Sequence, residues 1–455
     1  MTKAEEMAAF VVRAAYDDLS EAARQQLKIR TLDALGCAIG AVDGEPIRLI
    51  RAQIDSFGGA ELCTLIGNGR NAPDRVALYN SALVRYLDFN DSYLAKGETC
   101  HPSDNLGAVL AAAEYANTTG REFMTALAVA YQVQCRLSDV APVRAKGFDH
   151  TTQGSYAVAA GVSRALTLDQ GHTANALAIC GTAFNALRVT RTGSLSHWKG
   201  LAYPNTDFGC THATFLAMRG ITGPPEVFEG NKGFIQAISG PFEIDWSREN
   251  LERVTRTIVK KYNAEIHSQS AIEGILELKD EYGFTGADVG RIEIEIFDVA
   301  FNIIGGGEEG DKTIVRTKEE ADHSLQYMVA VAILDGQVMP PQYAPGRIQR
   351  EDVQVLLHKV FVRPSDAFSQ RFPQEMPCRL TVTLGDGRVV SKEMRDYEGF
   401  FSRPMSWETT VQKFEQLATP YADASLRGQI VDTVGRLEEI NVVDLTTLLA
   451  KVRIH

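Results

Sequence analysis

The feature that most restricts this chain is a run of small residues where a helix interior is expected. Leu106-Gly107-Ala108-Val109-Leu110-Ala111-Ala112-Ala113 is apolar on every face of a helix. A helix with no polar face must be enclosed by other elements, and small side chains let those neighbours approach closely. The segment that holds this run, about 103–117, is one of a series at about 73–87, 121–138, 151–166, 169–184 and 206–220. Ahead of them, Met7, Phe10, Val11 and Ala14 share one helical face. Ser20 is placed to cap the next helix, whose stripe includes Leu32, Leu35 and Ile39. The first 240 or so residues therefore predict a many-helix bundle.

The pattern changes after about residue 265. Arg291-Ile292-Glu293-Ile294-Glu295-Ile296 alternates at period two, as a half-buried strand does. Leu380 to Leu384, Gly385-Asp386-Gly387 and Arg388-Val389-Val390 read as a hairpin around an Asp-Gly turn. His323 to Leu334 reads as one helix, and helical patterning returns from Ser406. The predicted fold is mainly α: a large all-helical domain from residues 1–267 and 401–455, with a smaller α+β lid domain inserted at 268–400.

Charge and cysteine usage narrow the function. Among 455 residues, 46 Lys and Arg stand against 58 Asp and Glu, a net charge of −12. That balance argues against nucleic-acid or anionic-membrane partners, which require a basic surface. No apolar stretch reaches the roughly 18 residues of a membrane span, and the acidic start of the chain lacks a secretory apolar core. The seven cysteines are scattered, with no Cys-x-x-Cys pair. A disulfide framework, zinc ribbon or iron–sulfur cluster is therefore not expected, and a reduced, cytoplasmic protein is.

Candidate chemistry concentrates at four places. Asp88-Phe89-Asn90-Asp91-Ser92-Tyr93 precedes His101-Pro102-Ser103-Asp104-Asn105, where Pro102 suits a first helical turn and His101 or Ser103 its cap. This is either a well-capped loop or a carboxylate site at a helix N-terminus. Asp149-His150-Thr151 repeats the arrangement. Arg188 and Arg191 lead to Ser196-His197-Trp198-Lys199-Gly200, either a solvated basic loop or a local positive pocket in an acidic protein. Lys261, Glu265, His267 and Gln269 fall at the proposed domain boundary, where Glu265 and His267 have acid/base character. Gly305-Gly306-Gly307 reads as a loop, and His323 as structural or interfacial. These patterns by themselves reach a two-domain protein with an anion cleft, and no reaction.

In order along the chain, Asp88-Phe89-Asn90-Asp91, His101-Pro102-Ser103-Asp104-Asn105-Leu106-Gly107, Ser196-His197-Trp198-Lys199-Gly200, Phe228-Glu229-Gly230-Asn231-Lys232-Gly233-Phe234, Ala264-Glu265-Ile266-His267-Ser268-Gln269 and Glu320-Ala321-Asp322-His323-Ser324-Leu325-Gln326-Tyr327 resemble the MmgE/PrpD family. The resemblance implies a homodimer acting on a small tricarboxylate without metal or cofactor. It implies catalytic roles for Asp88, His101, His150 and Lys199, with Ser92 at the position of a Thr in the decarboxylase branch. Asp91, Ser92, Ser103, Arg188, Arg191, Lys261, Glu265, His267, Gln269 and Tyr327 are the substrate-binding candidates. The order around Glu265, and Asp104-Asn105-Leu106-Gly107, are closer to 2-methylcitrate dehydratases than to cis-aconitate decarboxylases, which carry a histidine at the position of Glu265. The implied reaction is loss of water from 2-methylcitrate, or citrate, by acid/base catalysis shared between His101 and Asp88. Alternatives are a cis-aconitate decarboxylase-like enzyme, another polycarboxylate lyase or isomerase, and a catalytically silent polycarboxylate sensor.

Overall fold

The computed structural model describes residues 1–192 and 196–454. Its packing separates two compact units, Met1–Val259 with Ser406–His455, and Lys260–Met405. The chain is mainly α.

Among the described residues, nine α-helices of the first unit precede residue 220: α1 (Lys3–Arg13), α2 (Glu21–Gly40), α3 (Glu45–Phe57), α4 (Pro73–Tyr86), α5 (Leu106–Tyr115), α6 (Gly120–Val140), α7 (Thr151–Ala165), α8 (Gln170–Ala183) and α9 (Trp198–Met218). Three more, Trp407–Ala418, Ala424–Gly435 and Val442–Leu449, come from the far end of the chain. Ser20 caps α2, its side chain accepting from the Ala23 amide. In α5 every residue from Leu106 to Glu114 is buried, against α4, α6, α7 and α9. The small residues are what permit this. A β-carbon on Gly161 of α7 would lie 2.8 Å from Val109 Cγ2 and 2.9 Å from Ala130 Cβ, so α5, α6 and α7 meet at a point where only glycine fits.

Two short antiparallel pairs accompany the bundle, β1 (Cys63–Thr64) with β2 (Arg70–Asn71) and β3 (Tyr93–Ala95) with β4 (Glu98–Cys100). One helix differs from its sequence reading. α9 starts at Trp198, not near 206, and runs through Pro204. A proline removes one helical donor, yet Ala202, Tyr203, Thr206 and Asp207 are all buried around it, and tertiary packing overrides the local breaker. Lys199 therefore sits in the first turn of a long helix.

The second unit holds a four-stranded sheet of order β6-β5-β7-β8, from β5 (Val289–Ile296), β6 (Val360–Pro364), β7 (Cys378–Leu384) and β8 (Val389–Met394). β5 runs parallel to β6 and antiparallel to β7, and β7 with β8 forms the Asp-Gly hairpin. Ile292, Ile294 and Ile296 are buried on the face that alternation predicts. Helix α10 (Gln269–Tyr282) packs on β7 and β8 and against the helix Leu325–Asp335. The latter begins after Ser324, whose hydroxyl accepts from the Tyr327 amide. His323 therefore lies ahead of the helix instead of inside it, in the turn after the short helix Lys318–Ala321. Among the described residues, no helix is long and apolar enough to cross a membrane.

Candidate active site

The first unit's polar centre begins where α4 ends. Asp88 adopts φ 52°, a left-handed conformation that a short polar residue tolerates and that turns the chain sharply out of the helix. Its carboxylate receives Arg85 Nη1 at 2.7 Å and lies 3.7 Å from Lys199 Nζ. The next residue, Phe89, is fully buried. Lys413, on the helix Trp407–Ala418, donates to its carbonyl at 2.8 Å and stands 3.6 Å over its ring. Lys413 in turn pairs with buried Asp33 of α2 at 2.6 Å. The loop that carries Asp88 is thus fastened on both sides.

Asp91, Ser92, Ser103 and His101 form the next group. Asp91 is wholly buried; one carboxylate oxygen accepts from the Ser103 amide at 3.0 Å and the other from the Tyr131 hydroxyl at 2.8 Å. His101 Nδ1 lies 2.8 Å from the Asp91 carbonyl and 3.1 Å from Ser92 Oγ. A carbonyl only accepts, so a proton is assigned to Nδ1; in the singly protonated ring the lone pair is then on Nε2. Asn90 Nδ2 donates to Ser103 Oγ and to Asp104 Oδ1, both at 2.8 Å.

The His101 ring meets the His150 ring edge-on, with centroids 5.6 Å apart, and His150 stacks on Tyr203 at 5.9 Å. His150 Nδ1 faces Asp149 Oδ1 at 3.2 Å, and its Nε2 is buried without a hydrogen-bond partner. Asp149 also receives Arg191 Nε at 2.5 Å, with Arg188 at 3.8 Å. Arg191 Nη1 donates to the Lys199 carbonyl at 3.2 Å, which closes the circuit back to Asp88. Asp88, Asp91, Ser92, His101, Ser103, His150, Arg188, Arg191 and Lys199 therefore belong to one continuous contact network.

The sequence leaves each of the two helix starts as either a structural, well-capped junction or a carboxylate site, with His101 or Ser103 as the cap of the first. Neither side chain caps, and the chain's own acids hold both positions: Asp91 accepts from the Ser103 amide, and Asp149 from the Thr151 amide at 3.2 Å. Excess positive charge must then come from side chains, and Arg85, Arg188, Arg191 and Lys199 share Asp88 and Asp149.

Burial sets the protonation of the centre. It pushes His150 down to about 3, with Arg191, Arg85 and Arg188 adding to the effect against Asp149, so this ring is neutral at pH 7. Burial also pushes Asp104 up to about 7 against the pull of Arg85. Asp149 is driven the other way: burial opposes, but His150 and Arg191 hold its carboxyl well below the usual range.

The remaining candidates lie in the second unit. Glu265 accepts from both the His267 amide (2.8 Å) and His267 Nδ1 (2.7 Å), and the imidazole packs against Phe297 and Phe372. Against the cost of burial, His267 holds the Glu265 carboxyl low. Lys261 pairs with Glu273 and Glu398, each at 2.9 Å. Gln269 commits its whole amide to the fold: Oε1 accepts from the Lys261 and Tyr262 amides, and Nε2 donates to the Tyr262 and Ala264 carbonyls. Tyr327 is a core residue whose hydroxyl donates to the Gln342 carbonyl. His323 pairs with Asp322. Among the described residues, no three or more His, Cys, Asp or Glu side chains gather to hold a metal ion.

Comparison with known proteins decides the family. Residues 5–247 match the MmgE/PrpD N-terminal domain and residues 262–439 the MmgE/PrpD C-terminal domain. The chain belongs to the MmgE/PrpD family. It is 27% identical over 399 residues to the 2-methylcitrate dehydratase of Cupriavidus necator, across 80% of this chain and 79% of that relative. To the 2-methylcitrate dehydratase of Escherichia coli K12 it is 25% identical over 409 residues, 81% and 80% of the two chains. A mouse cis-aconitate decarboxylase is 23% identical over 459 residues, 95% and 90% of the two.

Four residues of this MmgE/PrpD centre escaped the sequence reading as site residues: Arg85, Asp104, Asp149 and Lys413. Asp104 and Asp149 stand beside singled-out residues in Pro-Ser-Asp and Asp-His, so adjacency was a usable signal. Arg85 carried a weaker one, three residues ahead of Asp88 on the same helix face. Lys413 is 324 residues from the carbonyl it holds, and no local pattern reports such a contact.

Proposed function

We propose that this MmgE/PrpD chain is a hydro-lyase that removes water from 2-methylcitrate to give 2-methyl-cis-aconitate. The observation that carries the reading is the His101 tautomer: Nδ1–H is held on the Asp91 carbonyl, which leaves the Nε2 lone pair as a neutral base. The relatives named 2-methylcitrate dehydratase support a dehydratase of this family, and the mouse relative adds support for a lyase more broadly.

The carbon-bound proton next to a carboxylate is weakly acidic, because its removal places further charge on an anion. Lys199, Arg188 and Arg191 supply the positive field that lowers this barrier. His101 Nε2 takes the proton, and the C–H electron pair becomes the C=C bond as the neighbouring C–O bond breaks. The hydroxide leaves as water with a proton from the Asp88–Lys199 pair, whose members stand 3.7 Å apart. Exchange with solvent then takes the proton from His101 and returns one to the Asp88–Lys199 pair, which restores both to their starting states. His150, neutral and buried beside His101, presents a second lone pair.

The deciding experiment is mass spectrometry of products after separate incubation with 2-methylcitrate, citrate and cis-aconitate. Loss of water from 2-methylcitrate is the expected result. Loss of carbon dioxide from cis-aconitate alone would replace the reading with a decarboxylase. A ligand-induced rise in thermal stability without any product would make the chain a tricarboxylate sensor.

A further inference from the structure

Arg85 stands between two carboxylates. Its Nη1 donates to Asp88 Oδ1 at 2.7 Å, and its Nε lies 3.7 Å from Asp104 Oδ2. Arg85 Nε and Asp104 Oδ2 are both buried without a hydrogen-bond partner. The guanidinium is 3% exposed and the Asp104 side chain 0%, so water does little to screen one charge from the next. Asp104 is fixed from the other side by Asn90 at 2.8 Å.

We propose that Asp104 is a positioning residue for the reaction, acting through Arg85 to set the charge and orientation of the Asp88 carboxylate. Ionised, Asp104 draws part of the Arg85 field away from Asp88; neutral, it leaves the whole guanidinium to Asp88. Asp104 is suited to this because burial lifts it to about 7, where small changes alter its charge. The groups that face it are Arg85 from α4, Asn90 and Asp91 from the loop after α4, Arg191 from the turn before α9, and Tyr203 and Asp207 from α9. Burial holds Asp207 well above the usual carboxylate range.

The proposal rests on the role given to Asp88 above, so its test has a readout independent of turnover. The carboxylate band of Asp88 is isolated by infrared difference between each protein and the same protein carrying Asp88→Asn, and is titrated from pH 4 to 9. Asp104→Asn moves the Asp88 titration to lower pH by about one unit, since a nearby negative charge is gone. Arg85→Gln moves it to higher pH. In the Arg85→Gln background, Asp104→Asn adds less than half of its own shift. The limb of the kcat–pH profile that Asp88 governs moves in the same directions, with KM changed less than kcat. An unmoved Asp88 titration in folded Asp104→Asn, or an equal shift with and without Arg85, overturns the proposal. Should Asp104→Asn not fold, Asp104→Ser takes its place in the same titration with and without Arg85, and the same two results overturn the proposal. If the wild-type chain turns over none of the three tricarboxylates, the dehydratase reading fails while the infrared titration still decides this one.

Discussion

Replacing Lys413 by Met removes one half of a buried ion pair and keeps the length of the side chain. Lys413 Nζ stands 2.6 Å from Asp33 and 2.8 Å from the Phe89 carbonyl, at 5% exposure for the lysine and 0% for the aspartate. Breaking a buried pair by removing one partner costs about 3–5 kcal/mol, because the other charge remains uncompensated. The sign of the pH dependence follows from Asp33. Burial already raises its carboxyl and Lys413 opposes the rise, so in Lys413→Met it rises further. A carboxyl whose folded value lies above its unfolded value of about 3.9 stabilises fully below that value, and the contribution is lost as pH rises through the folded value. The deficit of Lys413→Met is therefore largest at pH 8 and shrinks toward pH 5. Urea unfolding followed by tryptophan fluorescence measures it, since Trp198, Trp246 and Trp407 all lie in the first unit. A deficit of about 3–5 kcal/mol corresponds to a midpoint shift of about 1 M or more. Adding Asp33→Asn should recover most of the loss. A deficit below about 1 kcal/mol, or one that is equal at both pH values and unrelieved by Asp33→Asn, refutes the reasoning.

Other outcomes are as specific. His101→Ala, shown folded by circular dichroism, should lose about 10²–10⁴-fold in alkene formation from the tricarboxylate; near-normal turnover would remove His101 from the chemistry. Gly161→Val should destabilise the first unit by about 1–3 kcal/mol in the same urea assay, since its β-carbon collides with Val109 and Ala130. His150, pushed down to about 3 by burial, binds fewer protons folded than unfolded, so stability is lost as pH falls from about 6.5 toward 3; His150→Asn should flatten that part of the stability–pH curve. Asp149, held low by His150 and Arg191, stabilises above about pH 4 and loses that contribution in acid, so Asp149→Asn should weaken the wild-type dependence below that pH.

The helices were legible wherever burial and local propensity agreed. The apolar run of α5 and the alternation of β5 each report an environment directly, and both elements form where the patterns place them. Boundaries were misread where a local signal competed with packing. The helix expected from about 206 starts at Trp198 and contains Pro204 in its interior, while His323 looked helical because the capping role of Ser324 went unrecognised. The first-unit candidates were legible as residue types at loops, but their connections were not. The pattern placed acids before helix starts without indicating that Asp91 and Asp149 turn inward to cap those helices themselves. Arg85 and Lys413 reach the centre by tertiary packing, which leaves no trace in spacing.

The contact between Lys413 and the Phe89 carbonyl also orders events during synthesis. Every candidate of the first-unit network is in place by Lys199, yet Lys413, the side chain that fastens the Asp88 loop, follows only after all of Lys260–Met405 has been made. At about 5–20 residues per second, the stretch from Lys199 to Lys413 is a wait of about 10–40 s. Throughout this interval the nascent helices expose the apolar surfaces that Trp407–Ala418 and its followers cover. A chain interrupted before Lys413 would carry every one of those residues and still lack an anchored Asp88 loop.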